Sequence, residues 1–359
     1  MNVLQRWRAV RNLQGDRLSA LPLLVVYLTD GCNSKCVTCD IWRSPRRNMP
    51  LALAESLAAE AQALGTRWVL LSGGEAMQHP DWPRIAQMFR QTGARVLLLT
   101  NGLLLKRQIE ATLASVDEVI LSLDGAQAST YAAVRGVDGL ALVLEGLRLL
   151  RQNGMSVTTR TTVQRANYAE LGQIIDLGLA YDVTTISFLA LDVSNREAFG
   201  PRTGLIPLDS VSVDDPRSLS ALPPGALSVQ DCEALADLID ALARDYAPHF
   251  AQGRIAESPD KLRRTLLSYF RALHGLEVYP APPCNAPHFS VVVECDGRIR
   301  PCYFLPTVGQ LRPDEPALSQ ALNADDALAM RRAYRQGQRP ECGRCVCPLY
   351  KSARGLWSM

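Results

Sequence analysis

Three cysteines near the start of the chain could carry redox chemistry. Cys32, Cys36 and Cys39 lie in the segment DGCNSKCVTCD with the spacing C-x3-C-x2-C. Three thiolates this close together can ligate three irons of a cuboidal [4Fe–4S] cluster and leave the fourth iron open to a non-protein ligand. A structural zinc site needs four protein ligands, and the sequence offers no fourth candidate nearby. The spacing therefore favours an iron–sulfur cluster.

A second group of cysteines lies towards the end of the chain. Cys284 and Cys302 are separated by seventeen residues, and the segment CGRCVC contributes Cys342, Cys345 and Cys347. This pattern could form a zinc ribbon, or it could ligate a further iron–sulfur cluster. Both interpretations are compatible with the spacing alone.

Two further cysteines are not expected to be ligands. Cys232 falls on a predicted helix, where a thiol commonly serves as a small apolar core side chain. Cys295 falls in a predicted hairpin turn. The start of the chain is charged and lacks a secretory signal, which predicts a cytoplasmic protein whose clustered thiols bind metal rather than form disulfides.

Polar, glycine-bearing segments follow three other predicted strands. They are Ser72–Glu75, Thr100–Gly102 and Ser122–Gly125. Because the carboxyl ends of parallel strands meet at one edge of a sheet, these segments should converge with Cys32–Cys39 on one small-molecule site. Asp124 is expected to brace its own turn through local backbone hydrogen bonds.

Alternating strands and helices must position these groups. The predicted strands are Leu23–Leu28, Trp68–Ser72, Val96–Thr100, Glu118–Leu123, Ser156–Val163 and Thr185–Ala190. The predicted helices are Leu51–Leu64, Trp82–Gln91, Lys106–Ala114, Gly139–Gln152 and Asn167–Ala180. Short apolar strands alternating with helices predict βαβ units and a buried parallel sheet. Six strands favour an α/β fold with an open sheet or an incomplete barrel.

Beyond residue 190 the pattern changes. Residues 191–227 are rich in Pro, Ser and Asp, which predicts a linker or a loop that shapes the substrate pocket. Further predictions are helices at Val229–Tyr246, Lys261–Leu273 and Leu318–Gln336, and a β-hairpin of Phe289–Glu294 with Arg298–Tyr303 around an Asp-Gly turn. The predicted domains are a helical extension (1–20), a barrel (21–190), a linker with helices (191–280) and a cysteine-rich domain (281–359).

The order of these motifs resembles the radical S-adenosylmethionine (SAM) superfamily over residues 22–190. The resemblance implies a partial (β/α)6 barrel in which Cys32, Cys36 and Cys39 hold a [4Fe–4S] cluster and SAM chelates the open iron. Reductive cleavage of SAM would give a 5′-deoxyadenosyl radical that abstracts a hydrogen atom from substrate. Flavodoxin or ferredoxin would supply the electron.

Roles for individual SAM contacts follow from the resemblance. The segment of Ser72, Gly73, Gly74 and Glu75 would hold the methionine amino group. Two other side chains, Asn101 and Ser122, would reach the ribose or the carboxylate, and Arg160 could pair with the carboxylate. One departure concerns the residue before the third cysteine, which is often aromatic in the family and is Thr38 here.

The C-terminal cysteines resemble the auxiliary iron–sulfur domain called SPASM, or its shorter form, twitch. This resemblance implies one auxiliary [4Fe–4S] cluster held by Cys284, Cys302, Cys342 and Cys345, with Cys347 competing for the last position. Four thiolate ligands would suit the cluster to accept or relay an electron. Proton transfer is assigned to Tyr303 and His288, in the hairpin region expected to face the barrel mouth.

Composition excludes several other classes of function. The chain has 359 residues and a net charge of +2, so no nucleic-acid partner is expected. No apolar run approaches the ~18 residues of a membrane span. Only about twenty residues precede the first predicted strand, which leaves little room for a leader-peptide-binding domain.

The sequence thus predicts a radical SAM oxidoreductase that acts on a small polar metabolite such as a sugar, a nucleoside or a cofactor or natural-product precursor. A maturase that cross-links or epimerises a ribosomal peptide is the first alternative. A non-catalytic iron–sulfur or zinc-binding electron-transfer protein is the alternative from another class.

Overall fold

The central sheet contains the six predicted strands in the predicted order. A computed structural model describes residues 3–195, 198–200, 225–312 and 317–358. The first six strands are β1 (Leu23–Tyr27), β2 (Trp68–Ser72), β3 (Arg95–Thr100), β4 (Glu118–Ser122), β5 (Ser156–Val163) and β6 (Thr185–Ala190). Each pairs in parallel with the next. We call the edge at which these strands end the barrel mouth.

Helices connect these strands and cover one face of the sheet. They are α1 (Val3–Arg11), α2 (Leu51–Ala63), α3 (Trp82–Gln91), α4 (Ile109–Ser115), α5 (Ala128–Arg135), α6 (Leu140–Gln152) and α7 (Leu171–Ala180). Helix α3 shows why the sequence pattern succeeded, because Trp82, Ile85, Ala86 and Phe89 recur at helical spacing and are all buried. The resulting architecture is the predicted α/β fold with a partial (β/α)6 barrel.

The two faces of the sheet differ in exposure. On β1, Leu24 and Val26 are fully buried under the helices, whereas Val25 and Tyr27 are partly exposed on the opposite, concave face. The same alternation runs along β5, where Arg160 is on the concave side. The partly exposed side chains of these strands therefore share the inner face of the partial barrel.

The predicted hairpin extends this same sheet. Strand β7 (Ser290–Val293) pairs in parallel with β1, so that Ser290 is opposite Leu23, and β8 (Arg298–Arg300) and β9 (Gly309–Gln310) follow antiparallel. Among the described residues this gives the strand order β6-β5-β4-β3-β2-β1-β7-β8-β9. The cysteine-rich region is thus joined to the barrel by backbone pairing.

The remaining helices lie between β6 and β7 and after β9. They are α8 (Val229–Asp245), α9 (Ala247–Ala251), α10 (Pro259–Leu262), α11 (Ser268–Leu273), α12 (Leu318–Ala321), α13 (Asp325–Arg335), α14 (Pro340–Gly343) and α15 (Ala353–Ser358). Helix α8 begins at a capping box in which Ser228 and Asp231 satisfy each other's backbone N–H groups. Most of the predicted linker, residues 201–224, lies outside the described residues.

Two sequence-based expectations about helices were wrong. Helix α5 was not predicted, although it carries a residue that contacts the first cysteine group. The single helix expected at Leu318–Gln336 is divided into α12 and α13. The break falls at Asn323, whose side chain accepts a hydrogen bond from Leu18 N (2.8 Å) and donates one to Leu18 O (2.9 Å). An asparagine bound to a distant backbone segment competes with continuation of the helix.

Candidate active site and auxiliary cysteine group

The loop after β1 carries the first three cysteines to the barrel mouth. Cys36 is buried, while Cys32 and Cys39 are partly exposed and none forms a disulfide. Burial raises the pKa of Cys32 to about 11, with the Ser34 N–H, which donates to its sulfur at 3.4 Å, acting in the opposite direction. A buried loop thiol of this kind releases its proton when it binds a metal.

The glycine pair after β2 brings two loops into backbone contact. Gly73 adopts φ +130°, and a Cβ on Gly74 would lie 2.4 Å from Gly31 O. Gly74 N donates to Thr29 O (2.7 Å) and Glu75 N donates to Gly31 O (2.8 Å). The glycines therefore lock the β2 loop against the residues that precede Cys32, a role that the sequence did not reveal.

Glu75 joins the next loop along the mouth. Its carboxylate accepts hydrogen bonds from Asn101 N (2.7 Å), Thr100 Oγ1 (2.8 Å) and Met77 N (3.2 Å). Burial raises the pKa of Glu75, and these hydrogen bonds oppose that shift. The Asn101 side chain in turn donates to Asn33 Oδ1 (2.8 Å), directly beside Cys32. The predicted contact of this segment with the methionine amino group stays a prediction.

Ser122 and Arg160 face each other across β4 and β5. They are register partners on the concave face, and Ser122 is the last residue of β4. The Arg160 Nε atom is buried and has no hydrogen-bond partner among the described residues. An unpaired guanidinium nitrogen near the mouth suits an anionic ligand group such as the SAM carboxylate, so the residues present fit the cofactor.

Asp124 and Arg135 form a buried pair that sequence reasoning missed. The expectation that Asp124 braces its own turn is wrong, because its carboxylate accepts from Thr162 N on β5 (2.6 Å) and lies 3.3 Å from Arg135 Nε. Arg135 Nη1 also lies 3.3 Å from Cys36 Sγ. Burial lowers the pKa of Arg135, but Asp124 and Cys36 outweigh it and raise the pKa overall. The only local sign of this pair in the sequence is an arginine directly before a glycine that ends a helix. That pattern is common and does not indicate a buried ion pair.

The structure brings the five C-terminal cysteines together. The pKa of Cys302 is raised to about 12, mainly by burial and in smaller part by nearby thiols. Those neighbours are Cys284, Cys342 and Cys347. Cys345 lies near Cys347, Cys302 and Cys284, and its sulfur accepts from Cys347 N at 3.4 Å. Both Cys345 and Cys347 therefore lie close enough to Cys302 to supply the fourth thiolate.

The two excluded cysteines lie elsewhere. Cys232 is buried in the core on α8, and Cys295 is buried in the hairpin turn beside Asp30.

Within the described part of the chain, no three His, Cys, Asp or Glu side chains are grouped closely enough to bind one metal ion. A cuboidal cluster takes each thiolate at a separate iron, so its ligands need not converge on one point.

Tyr303 and His288, the two predicted proton-transfer residues, occupy different ends of the sheet. Tyr303 packs against Tyr27 at the mouth, with 5.3 Å between ring centroids, and accepts a hydrogen bond from Phe199 N (2.7 Å). His288 precedes β7 at the opposite edge and is buried against Tyr334. The expectation that His288 faces the mouth is wrong, because β7 runs parallel to β1 and begins beside its first residue.

Comparison with known families identifies both regions. Residues 26–178 match the Radical SAM superfamily, and residues 284–346 match the iron–sulfur cluster-binding domain SPASM. The chain therefore contains a Radical SAM domain at residues 26–178 and a SPASM iron–sulfur cluster-binding domain at residues 284–346. The Radical SAM domain implies SAM and a [4Fe–4S] cluster as cofactors, and the SPASM domain implies auxiliary iron–sulfur clusters.

Curated relatives match less than half of this chain. The AdoMet-dependent heme synthase of Methanosarcina barkeri is 34% identical over 163 residues, which cover 44% of this chain and 47% of that enzyme. The GTP 3′,8-cyclase of Chlorobaculum tepidum is 30% identical over 173 residues, which cover 46% of this chain and 52% of that enzyme. The matched region thus spans about half the length of these relatives.

Solved structures match over nearly the whole chain. SuiB of Streptococcus suis, solved with bound S-adenosylmethionine, superposes with a TM-score of 0.64 at 15% sequence identity. The match covers 96% of this chain and 76% of SuiB. It supports the arrangement of barrel and C-terminal region as one fold.

In the described residues, no helix combines the length and the apolar character needed to cross a membrane.

Proposed function

We propose that this enzyme oxidises a small polar metabolite by hydrogen-atom abstraction, with one auxiliary [4Fe–4S] cluster accepting an electron. When bound and reduced, the SAM-binding cluster would supply the electron for SAM cleavage, so the hydrogen-abstracting chemistry would come from the cofactors. Cys32, Cys36 and Cys39 would hold that cluster, and Ser122, Asn101 and Arg160 would orient SAM. Flavodoxin or ferredoxin in the cytoplasm is the expected electron donor.

One contact carries the proposal. Cys302, a proposed auxiliary ligand, is followed directly by Tyr303, which packs on Tyr27 at the barrel mouth. Cys39 lies within electrostatic range of both tyrosine hydroxyls. Two consecutive residues therefore link the proposed auxiliary ligands to the mouth.

This arrangement suits a net two-electron oxidation. The substrate C–H bond breaks, and its hydrogen atom is transferred to the SAM-derived fragment. An auxiliary [4Fe–4S] cluster held by Cys284, Cys302, Cys342 and either Cys345 or Cys347 would accept the second electron lost by the substrate, while one proton would leave to solvent or a base. The Tyr303–Tyr27 contact lies on the short route between the mouth and Cys302 and also fills space that water would otherwise occupy.

The names of two curated relatives support the proposed substrate class. The two enzymes described above are named for heme synthesis and GTP cyclisation, both of which concern small molecules. The concave face also presents short polar groups and one unpaired guanidinium nitrogen, which suit hydroxyl and carboxylate recognition.

A peptide substrate is the second candidate. SuiB, whose fold matches both regions of this chain, has also been solved bound to its precursor peptide SuiA, with a TM-score of 0.63. A peptide-modifying activity would use the same mouth and the same auxiliary electron acceptor.

The auxiliary cysteines provide the first test. We expect anaerobically reconstituted Cys342→Ala to release 5′-deoxyadenosine from SAM with a strong reductant, but to form no oxidised product. Cys232→Ala, which removes a buried core thiol, should retain both activities and serves as the matched control. Product formation at the wild-type rate by Cys342→Ala would contradict electron transfer to the auxiliary cluster.

A second experiment separates the two substrate classes. The low-molecular-mass filtrate of an extract from the source organism should contain the substrate. Its addition should therefore increase 5′-deoxyadenosine release by the wild-type enzyme. If this increase survives prior treatment of the extract with a broad-specificity protease, the substrate is a small metabolite. If protease abolishes it, the substrate is a peptide and the metabolite proposal fails.

A further inference from the structure

We infer that Arg135 is a positioning residue that raises the reduction potential of the SAM-binding cluster by donating a hydrogen bond to the Cys36 thiolate. The inference rests on Cys36 being a cluster ligand and does not depend on the substrate. Its starting observation is the 3.3 Å distance from Arg135 Nη1 to Cys36 Sγ, with both side chains buried.

The backbone on both sides holds this donor in place. Lys35 N donates to Arg135 O (3.1 Å), and Val37 N donates to Val134 O (3.0 Å). Helix α5 therefore ends directly against the cysteine loop, on both sides of Cys36. Gly136 follows with φ +67°, and a Cβ at that position would lie 2.3 Å from Lys35 O.

Asp124 orients the guanidinium from the other side. Its carboxylate lies 3.3 Å from Arg135 Nε and is itself fixed by Thr162 N (2.6 Å). Its carbonyl oxygen accepts from the Asn167 side chain (3.0 Å). The acid is thus anchored to β5 and the loop after it, and Arg135 cannot swing away from Cys36 without leaving a buried carboxylate unpaired.

Two guanidinium nitrogens of Arg135, Nε and Nη2, are buried without a hydrogen bond among the described residues. Nε still lies 3.3 Å from the Asp124 carboxylate, which leaves Nη2 as the nitrogen to account for. Buried donors are nearly always paired in folded proteins, so this nitrogen points to a further acceptor at the site. The sulfur atoms of an iron–sulfur cluster are acceptors of the required kind.

The physical consequence concerns the charge of the reduced cluster. Reduction adds one negative charge, and hydrogen bonds to the ligand sulfurs stabilise that charge and raise the reduction potential. Burial strengthens this effect because the surrounding dielectric is low. Since Asp124 balances the positive charge of Arg135, the directed N–H···S contact is the main contribution.

A redox titration tests the effect. Reconstituted full-length Arg135→Gln should keep the iron content of the wild type, while the SAM-responsive electron paramagnetic resonance signal is reduced only at a more negative potential. Arg84→Gln, which removes an exposed arginine on α3, should leave that potential unchanged. An unchanged potential in Arg135→Gln with full iron content would reduce Arg135 to a packing role and overturn the inference.

A second measurement does not depend on the stability of the variant. Wild-type protein labelled with guanidino-¹⁵N arginine should show a nitrogen hyperfine coupling to the reduced SAM-responsive cluster in pulsed electron paramagnetic resonance. The coupling should be lost in Arg135→Lys, which carries no labelled guanidinium at this position and therefore assigns the signal to Arg135. Absence of the coupling in the wild type would refute the contact, whereas failure of the proposed oxidation would leave this result unaffected.

Discussion

The two cysteine groups of this enzyme are built in different ways. Cys32, Cys36 and Cys39 lie within eight residues on one loop, and that loop is bonded to its neighbours by the glycine segment after β2 and by the end of α5. The auxiliary cysteines are spread over the sixty-four residues from Cys284 to Cys347 and are brought together by a hairpin and short helices.

The two groups therefore differ in how far their ligands can be recognised from the spacing of cysteines in the sequence. A local loop can present three ligands before the rest of the protein folds, so its spacing is recognisable in the sequence. The auxiliary group exists only after β7 has joined the sheet and α13 and α14 have packed behind it. Its ligand set therefore depends on tertiary structure, which explains why spacing alone does not choose between Cys345 and Cys347.

The sharpest test of this comparison removes one ligand of the local loop. Cys36→Ala should abolish 5′-deoxyadenosine release and lower iron content by about one cluster, because the remaining two thiolates cannot hold a cuboidal cluster. The auxiliary iron should remain. Iron and sulfide analysis with a SAM-cleavage assay checks both parts, and equal loss of iron from both sites would contradict their independence.

The packing of the local loop predicts a large effect on stability. In Gly74→Ala, the added Cβ would lie 2.4 Å from Gly31 O. The resulting overpacking should lower the free energy of unfolding by about 1–3 kcal/mol. Gly343→Ala, where a Cβ meets open space in the auxiliary region, should be nearly neutral. Urea denaturation of both variants measures the contrast, and equal destabilisation would argue against the tight packing of the first loop.

The free energy of unfolding should depend on pH through His288, which lies near the auxiliary cysteines. Burial lowers the pKa of His288 from 6.5 to about 4, assisted by Arg331 and Arg335 and opposed by Asp16. The unfolded chain therefore binds more protons between these values, and stability present above pH 6.5 is lost as the pH falls towards 4. The contribution is at most about 3 kcal/mol.

His288→Leu provides the comparison for this pH dependence. Unfolding free energies of the wild type and the variant, measured by urea denaturation between pH 4 and 7, should diverge in slope, with the variant less sensitive to acid. Parallel slopes would mean that the ring is accessible to protons in the folded state.

Much of the fold could be predicted because its elements are locally determined. The bounds of β2 and β6 follow from short apolar runs, those of β5 from a run of β-branched Thr and Val, and those of α3 from one clear helical stripe. Helix α5 escaped prediction because ASTYAAVR combines small and polar residues without a strong period. Its contact with Cys36 joins residues ninety-nine positions apart, a separation that local patterns do not encode.

The site was predictable at the level of residue types and less so at the level of roles. The glycine pair was expected to approach a ligand, whereas its clearest observed role is to seat one loop on another. His288 was placed at the mouth because it lies near the hairpin in sequence, but strand direction carries it to the opposite edge. Only topology supplies that direction.

The parallel pairing of β7 with β1 has a consequence for how this protein can be divided. Without β7, β1 would be a terminal strand with a free row of N–H and C=O groups from Leu23 to Val26, open to pairing with another chain. Residues from 290 onwards therefore act as a shield for the barrel, and a fragment that ends before them would be prone to aggregate even though it contains every proposed SAM contact.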